Sequence, residues 1–216
     1  PVKWTKLKKE ESLQEELEKY KDYEPTDDKD RTKHQKYLEV IPQLVTNGFK
    51  ALEEIGLASP VICEKQISLT SDNAPTFCSP CSLVTVGRTD FEFGSSMLGN
   101  SSSEVNPTAT AAFPLKLVEL KTKYPRLGKA KKDGSRSFVK AAIPTTPSFN
   151  HLVQCAFYSS YYNFKVPMYL LYVVEEGYKI FTSNNCPGLT VEGLKKNYQI
   201  MMNVFRRREK ILALNE

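Results

Sequence analysis

The sequence predicts an α/β fold in which a central mixed, mostly antiparallel sheet is flanked by helices. Three observations carry that prediction. The first 57 residues show helical periodicity broken only by turn-forming residues. The apolar period shortens to two between residues 61 and 123. From Ser148 onward, a helix, a buried strand pair and a long closing helix follow in turn.

Taken in order, Leu7 to Tyr20 is rich in Glu, Lys and Leu, with charges spaced at i,i+4, and reads as a helix. The Asp-rich, Pro-containing stretch Tyr23 to Asp30 breaks it. A second helix is expected from about Arg31 to Val45, with Pro42 as a kink or boundary. A third runs from Asn47 to Ile55 and closes at Gly56, in the position just past a helix end. Val61 to Thr70 is strand-like, and a polar loop continues through Pro80. Ser82 to Phe93 alternates, with Leu83, Thr85, Gly87 and Thr89 on one face and Val84, Val86, Arg88 and Asp90 on the other. Gly94 to Thr110 is a low-complexity Ser/Asn/Gly connection. Leu115 to Lys123 is the next strand, and Lys129 to Ser148 is an exposed loop, first basic and then Pro/Thr-rich.

A Ser or Asn cap opens a helix over Ser148 to Tyr162. Met168 to Val174 is a strand of the buried type, Tyr178 to Ser183 its hairpin partner, and Glu176-Gly177 the turn between them. Leu189 to Leu214 closes the chain as a long amphipathic helix. With no internal repeat and no linker, one domain is expected over 1–216, its helical part at 1–57 and its α/β core at 58–216.

Composition excludes several classes. At 216 residues, 40% hydrophobic and 25% charged, the chain supports a real core and is not disordered. No apolar stretch approaches the ~20 residues of a membrane span, so a soluble protein is expected. The chain opens on Pro1 rather than Met, so it carries no information about a leader. The five cysteines, at 63, 78, 81, 155 and 186, form no disulfide framework and fit reduced intracellular thiols. Cys78-Ser-Pro-Cys81 has the spacing of half a zinc site with no matching second half, and no iron–sulfur quartet is present. The net charge of +5 permits a nucleic-acid partner without requiring one. Its basic residues cluster at Lys129, Lys131, Lys132, Arg136 and Lys140, and again at Arg206 to Arg208 with Lys210, where cations suit a helix C-terminus.

The most specific chemistry lies in Glu119-Leu120-Lys121. Residues two apart on a strand share a face, so this acid and this lysine point together. Asp90, on the preceding strand-like run, supplies a second carboxylate. Two carboxylates and the Leu120 backbone carbonyl are oxygen ligands suited to Mg²⁺ or Mn²⁺, and Lys121 would orient an attacking water and neutralise phosphate charge. Gln154 and Tyr158 are four apart and share a helix face, where they can address water or phosphate. His34 offers an upstream nitrogen ligand. Asp, Glu and Lys at these positions also fit a surface ion pair, and a lone helical His also fits a surface residue.

The ordered set His34, Gly87-Arg-Thr-Asp90, Val118-Glu-Leu-Lys-Thr122 and Gln154-Cys-Ala-Phe-Tyr158 resembles the RecB-type branch of the PD-(D/E)XK nucleases, in particular its mitochondrial genome-maintenance and phage exonucleases. The resemblance covers roughly residues 30 to 210. It implies a restriction-endonuclease-like core with N-terminal helices over the active site. It also implies that Asp90 and Glu119 bind the metal, that Lys121 is catalytic, and that Gln154 and Tyr158 form the branch's helix motif. His34 matches the metal-associated histidine, and Glu64 an acidic position on the strand before. Asp30 and Leu38 stand where the branch carries Gly and Glu around its histidine, Glu39 falls one step late, and Thr89 replaces a proline before the first acid.

The implied activity is metal-dependent hydrolysis of DNA from free single-stranded ends, in replication, repair or recombination. A structure-specific endonuclease of the same fold and a non-catalytic nucleic-acid-binding protein are the alternatives. Lys123, Lys129, Lys131, Lys132, Arg136 and Lys140 would track phosphates, with Phe138, Phe149 or Tyr124 stacking on bases. A monomer is expected, in the mitochondrial matrix or in the cytoplasm of a phage-infected host.

Overall fold

A computed structural model describes residues 23–56, 62–63, 66–69, 85–93 and 116–213, with scattered helical positions between 10 and 21. The helices are α1 (Asp28–Glu54), α2 (Phe149–Tyr161) and α3 (Val191–Ala213). The strands are β1 (Ile62–Cys63), β2 (Gln66–Leu69), β3 (Thr85–Arg88), β4 (Phe91–Phe93), β5 (Lys116–Thr122), β6 (Arg126–Leu127), β7 (Phe138–Val139), β8 (Met168–Val174) and β9 (Gly177–Phe181). Five strands form one sheet in the order β1-β4-β5-β8-β9, while β2-β3 and β6-β7 are two-stranded ribbons. The pairs β1–β4 and β4–β5 are antiparallel. By contrast, Leu117 N–H bonds Pro167 C=O and Lys123 N–H bonds Val173 C=O, so β5 and β8 advance together and are parallel. The chain between them contains α2, the helical crossover that a parallel pair requires. Glu175-Glu176 then turns β8 into β9. The expected α/β class with a mixed sheet is therefore observed.

Two compact units divide the chain: Pro1–Ser59 with Leu120–Thr145 and Leu171–Ile180, and Pro60–Glu119 with Thr146–Leu170 and Phe181–Glu216. Two later segments of the chain return to the first unit. Among the described residues, no helix is long and apolar enough to cross a membrane.

In the first unit, α1 is a single helix of 27 residues where two were expected. Asp27 caps its start by accepting from the Asp30 N–H at 2.7 Å. Pro42 lies inside it, where proline removes one backbone donor and crowds the preceding turn. Burial offsets that cost: Val40, Ile41, Leu44, Phe49, Ala51 and Leu52 form one inward stripe across the proline. Asn47 is buried in the same stripe and donates through Nδ2 to Val174 O at 2.9 Å and Glu175 O at 3.1 Å. One amide thus satisfies two carbonyls at the β8–β9 turn. The expected loop 129–148 contains the second strand of the β6–β7 hairpin, whose register is Arg126↔Val139 and Leu127↔Phe138.

In the second unit, each of two expected strands divides. The stretch 61–70 yields β1 and β2, which belong to different sheets, and 82–93 yields β3 and β4. The break in the latter falls at Thr89 and Asp90, so Asp90 occupies a bend between strands rather than a strand end. Alternation alone cannot reveal such a change of partner, because the period of two is preserved on both sides of it. Helices α2 and α3 pack together with the short 3₁₀ turn Pro187–Leu189. Thr190 caps α3, its Oγ1 accepting from Gly193 N–H at 3.1 Å. A Cβ on Gly193 would lie 2.1 Å from Pro187 O and 2.9 Å from the Gly188 Cα, both backbone atoms. Connection 94–110, Cys78, Cys81 and Glu64 lie outside the described residues.

Gly193→Ala is therefore expected to cost about 1–3 kcal/mol through overpacking. Thermal unfolding followed by circular dichroism should show Tm falling about 2–4 °C for each kcal/mol. An unchanged Tm would contradict the close approach of α3 to the 3₁₀ turn.

Candidate active site

The site is built on the pairing of β4 with β5. Its register is Phe91↔Val118, Glu92↔Leu117 and Phe93↔Lys116. Asp90 immediately precedes β4, in the bend between β3 and β4, and Glu119 immediately follows Val118, the register partner of Phe91. Glu119 is 1% exposed and Asp90 is half-buried. The strand's period of two then carries Lys121, half-buried and assigned to the first unit, onto the face that Glu119 shares. Leu120 lies between them on β5.

Helix α2 supplies the opposite wall. Ser148 caps it, accepting from the His151 N–H at 3.4 Å, which fixes His151 in the first turn. The expected Gln154/Tyr158 pair is formed: Gln154 Nε2 donates to Tyr158 Oη at 2.6 Å. Tyr158 is 4% exposed. Burial, and secondarily the charges of Glu119 and Asp90, push its hydroxyl up to about 12, against an opposing pull from the Gln154 bond. Both carboxylates thus bear on one hydroxyl. At neutral pH Tyr158 is a proton donor and not a base. Gln154 commits its amide nitrogen to Tyr158.

Two residues of this face escape a reading of the sequence. Glu92 is 2% exposed and accepts from Thr89 Oγ1, itself on a residue only 2% exposed, at 3.2 Å. Tyr162, four residues beyond Tyr158, donates its hydroxyl to Glu92, and its pKa is raised by burial first and by Glu92 second. The available signal was parity: Asp90 and Glu92 stand two apart, as do Glu119 and Lys121. Phe91 and Phe93 on either side make the segment look apolar and conceal the acid between them.

The remaining expected residues lie in the first unit. His34 sits on α1 with its ring 5.4 Å from that of Tyr23, whose hydroxyl donates to Asp30 Oδ2 at 2.6 Å. Lys123 lies 5.1 Å over the Tyr172 ring. Lys129, Lys131, Lys132 and Arg136 are exposed on the loop of the β6–β7 hairpin. That loop is shaped by backbone bonds from Lys131 to Ser135 and from Gly134 to Lys131, and by Asp133 accepting from Ser135. Lys140 bridges Glu176 at 2.6 Å, an exposed pair of small energetic worth that raises the lysine's pKa. Of the aromatic candidates, Phe149 is 51% exposed and Tyr124 packs on Tyr37 with centroids 4.6 Å apart.

Among the described residues, no three His, Cys, Asp or Glu side chains converge as a metal-ligand group. Asp90 and Glu119 are the carboxylates that act on Tyr158. That donor set fits Mg²⁺ or Mn²⁺, since Mg²⁺ is commonly held by one or two carboxylates and retains several waters.

The raised tyrosines set an alkaline limit on stability. A hydroxyl whose pKa is higher folded than unfolded leaves its stability contribution intact below the ordinary value of 10.0 and loses it as pH rises through the folded value. Tm should fall between about pH 10 and pH 12, and Tyr158→Phe should flatten part of that fall. An identical alkaline profile for wild type and variant would rule out Tyr158 as a contributor. No family model, curated protein or solved structure matches this chain.

Proposed function

We propose that the chain is a Mg²⁺- or Mn²⁺-dependent deoxyribonuclease with a restriction-endonuclease-like core, acting from free single-stranded ends. The observation that supports this most is that Asp90, just before β4, and Glu119, on the paired strand β5, both act by charge on the Tyr158 hydroxyl. A divalent cation bound there would supply charge neutralisation and an acidified water. Asp90 and Glu119 would hold it, with Leu120 C=O as the neighbouring backbone donor. Lys121 follows on the Glu119 face, where an ammonium can orient the attacking water and offset the charge that accumulates on the phosphate. Gln154 Oε1 accepts from that water, and the neutral Tyr158 hydroxyl donates to a phosphate oxygen. The exposed cations of the β6–β7 loop suit a phosphate backbone.

End-labelled single- and double-stranded DNA incubated with Mg²⁺, Mn²⁺ or chelator provides the test. Wild type should cleave only with metal, and Lys121→Ala should lower the rate by at least about 100-fold while DNA affinity is largely retained. Intact substrate under every metal condition would end the enzyme reading. A circular single strand should survive, and its cleavage would replace the exonuclease reading with an endonuclease.

The paired change Lys131→Ala and Lys132→Ala should weaken binding at low salt and flatten the log–log salt dependence by about 0.7 per lysine. An unchanged slope would remove the hairpin loop from the DNA path.

A further inference from the structure

We infer that Thr89, Glu92 and Tyr162 form a clamp that positions the two walls of the site against one another; this rests on the nuclease reading above. Glu92 occupies the face shared by Leu117 and Glu119, since its register partner is Leu117 and the strand alternates. It is 2% exposed. A carboxylate removed from water needs donors, and an apolar side chain of similar volume at such a position often gives the more stable fold. Folding alone therefore does not account for an acid here.

The identity of its donors supplies the reason. Thr89 immediately precedes Asp90, and the 3.2 Å bond from its Oγ1 to Glu92 Oε1 closes a four-residue bend with Asp90 inside. Tyr162 is the C-cap of α2 and continues the stripe begun by Gln154 and Tyr158 at steps of four. A single buried carboxylate thus ties the bend that carries Asp90 to the helix that carries Gln154 and Tyr158. The end of that helix is otherwise strained. Asn163 and Phe164 follow Tyr162 with φ of 52° and 59°, left-handed values that a bulky non-glycine residue such as Phe rarely adopts. Phe164 is buried and packs edge-on to Tyr198 with centroids 5.9 Å apart. The helix terminus is held in this geometry from two sides, by Phe164 in the core and by Tyr162 on Glu92.

Glu92 is committed to the Thr89 and Tyr162 hydroxyls. Its action on the reaction passes through the placement of Asp90, Gln154 and Tyr158, so all three clamp members are positioning residues. The hydrogen bonds, not the negative charge, are what the clamp requires.

Four variants test this: Tyr162→Phe, Glu92→Gln, Glu92→Leu, and Tyr162→Phe combined with Glu92→Leu. Tyr162→Phe should lower kcat on single-stranded DNA roughly ten-fold at saturating Mn²⁺, the worth of one hydrogen bond to a charged group, with KM unchanged. Glu92→Gln, whose amide oxygen accepts from both hydroxyls, should stay within about three-fold of wild type, while Glu92→Leu should fall as far as Tyr162→Phe. The double variant should be no slower than Glu92→Leu, because the two changes break one connection. On metal-free protein, hydrogen exchange should quicken in the last two turns of α2 in Tyr162→Phe and not in β8. A Tyr162→Phe variant that loses Tm but keeps wild-type kcat and KM overturns the positioning role and leaves the nuclease reading standing. Equal losses in Glu92→Gln and Glu92→Leu overturn the hydrogen-bond mechanism. A wild type that neither cleaves DNA nor gains Tm with Mn²⁺ overturns the nuclease reading, and the inference with it.

Discussion

The antiparallel register of β4 on β5 is the constraint on which the acidic face of this protein depends. A slip of one residue would turn every side chain of one strand to the opposite face. Glu92 would then leave the face it shares with Leu117 and Glu119. The register is secured by burial. Phe93, Leu117 and Val118 are each no more than 3% exposed, so a slipped pairing would bring charged groups into their places. The same strands therefore specify the core and hold the acids.

Charge and burial are opposed on this face. Glu92 and Glu119 are almost fully removed from water, and Asp90 is half-buried beside them. The surrounding residues respond with hydroxyl and amide groups: Thr89 and Tyr162 on Glu92, Tyr158 beside Asp90 and Glu119, and Gln154 on Tyr158. Like charges gathered at low exposure favour a cation among them. The tyrosines, held protonated by burial and by neighbouring carboxylates, suit donation to an anion and not abstraction of a proton.

In the first unit, polar side chains satisfy backbone that regular structure leaves over. Asn47 bonds the carbonyls of Val174 and Glu175, and the Tyr178 hydroxyl donates to Glu54 Oε2 at 2.7 Å. These contacts bind α1 to the β8–β9 hairpin at both ends of the helix's C-terminal half. The long helix tolerates Pro42 because the surrounding apolar stripe is continuous and tertiary burial outweighs one missing hydrogen bond.

The elements from 148 onward were legible in the sequence almost to the residue. Ser148 is the cap, Met168–Val174 is the strand, and the closing helix spans 191–213 against an expected 189–214. Local signals govern those boundaries: a capping hydroxyl, an unbroken apolar run, and a long amphipathic period. The pairing of Gln154 with Tyr158 was legible for the same reason, since i,i+4 spacing fixes proximity on any helix. The α/β class also followed from periodicity alone. What periodicity cannot carry is partnership. The division of 82–93 into strands of two different sheets, the bend at Asp90, the continuity of α1 through Pro42 and the burial of Glu92 each depend on residues distant in sequence. Sequence by itself determined which side chains share a face of one element, because that is a property of local backbone geometry. Only the tertiary structure decided which faces meet and which acids lose their water, because register and burial are set by packing between elements.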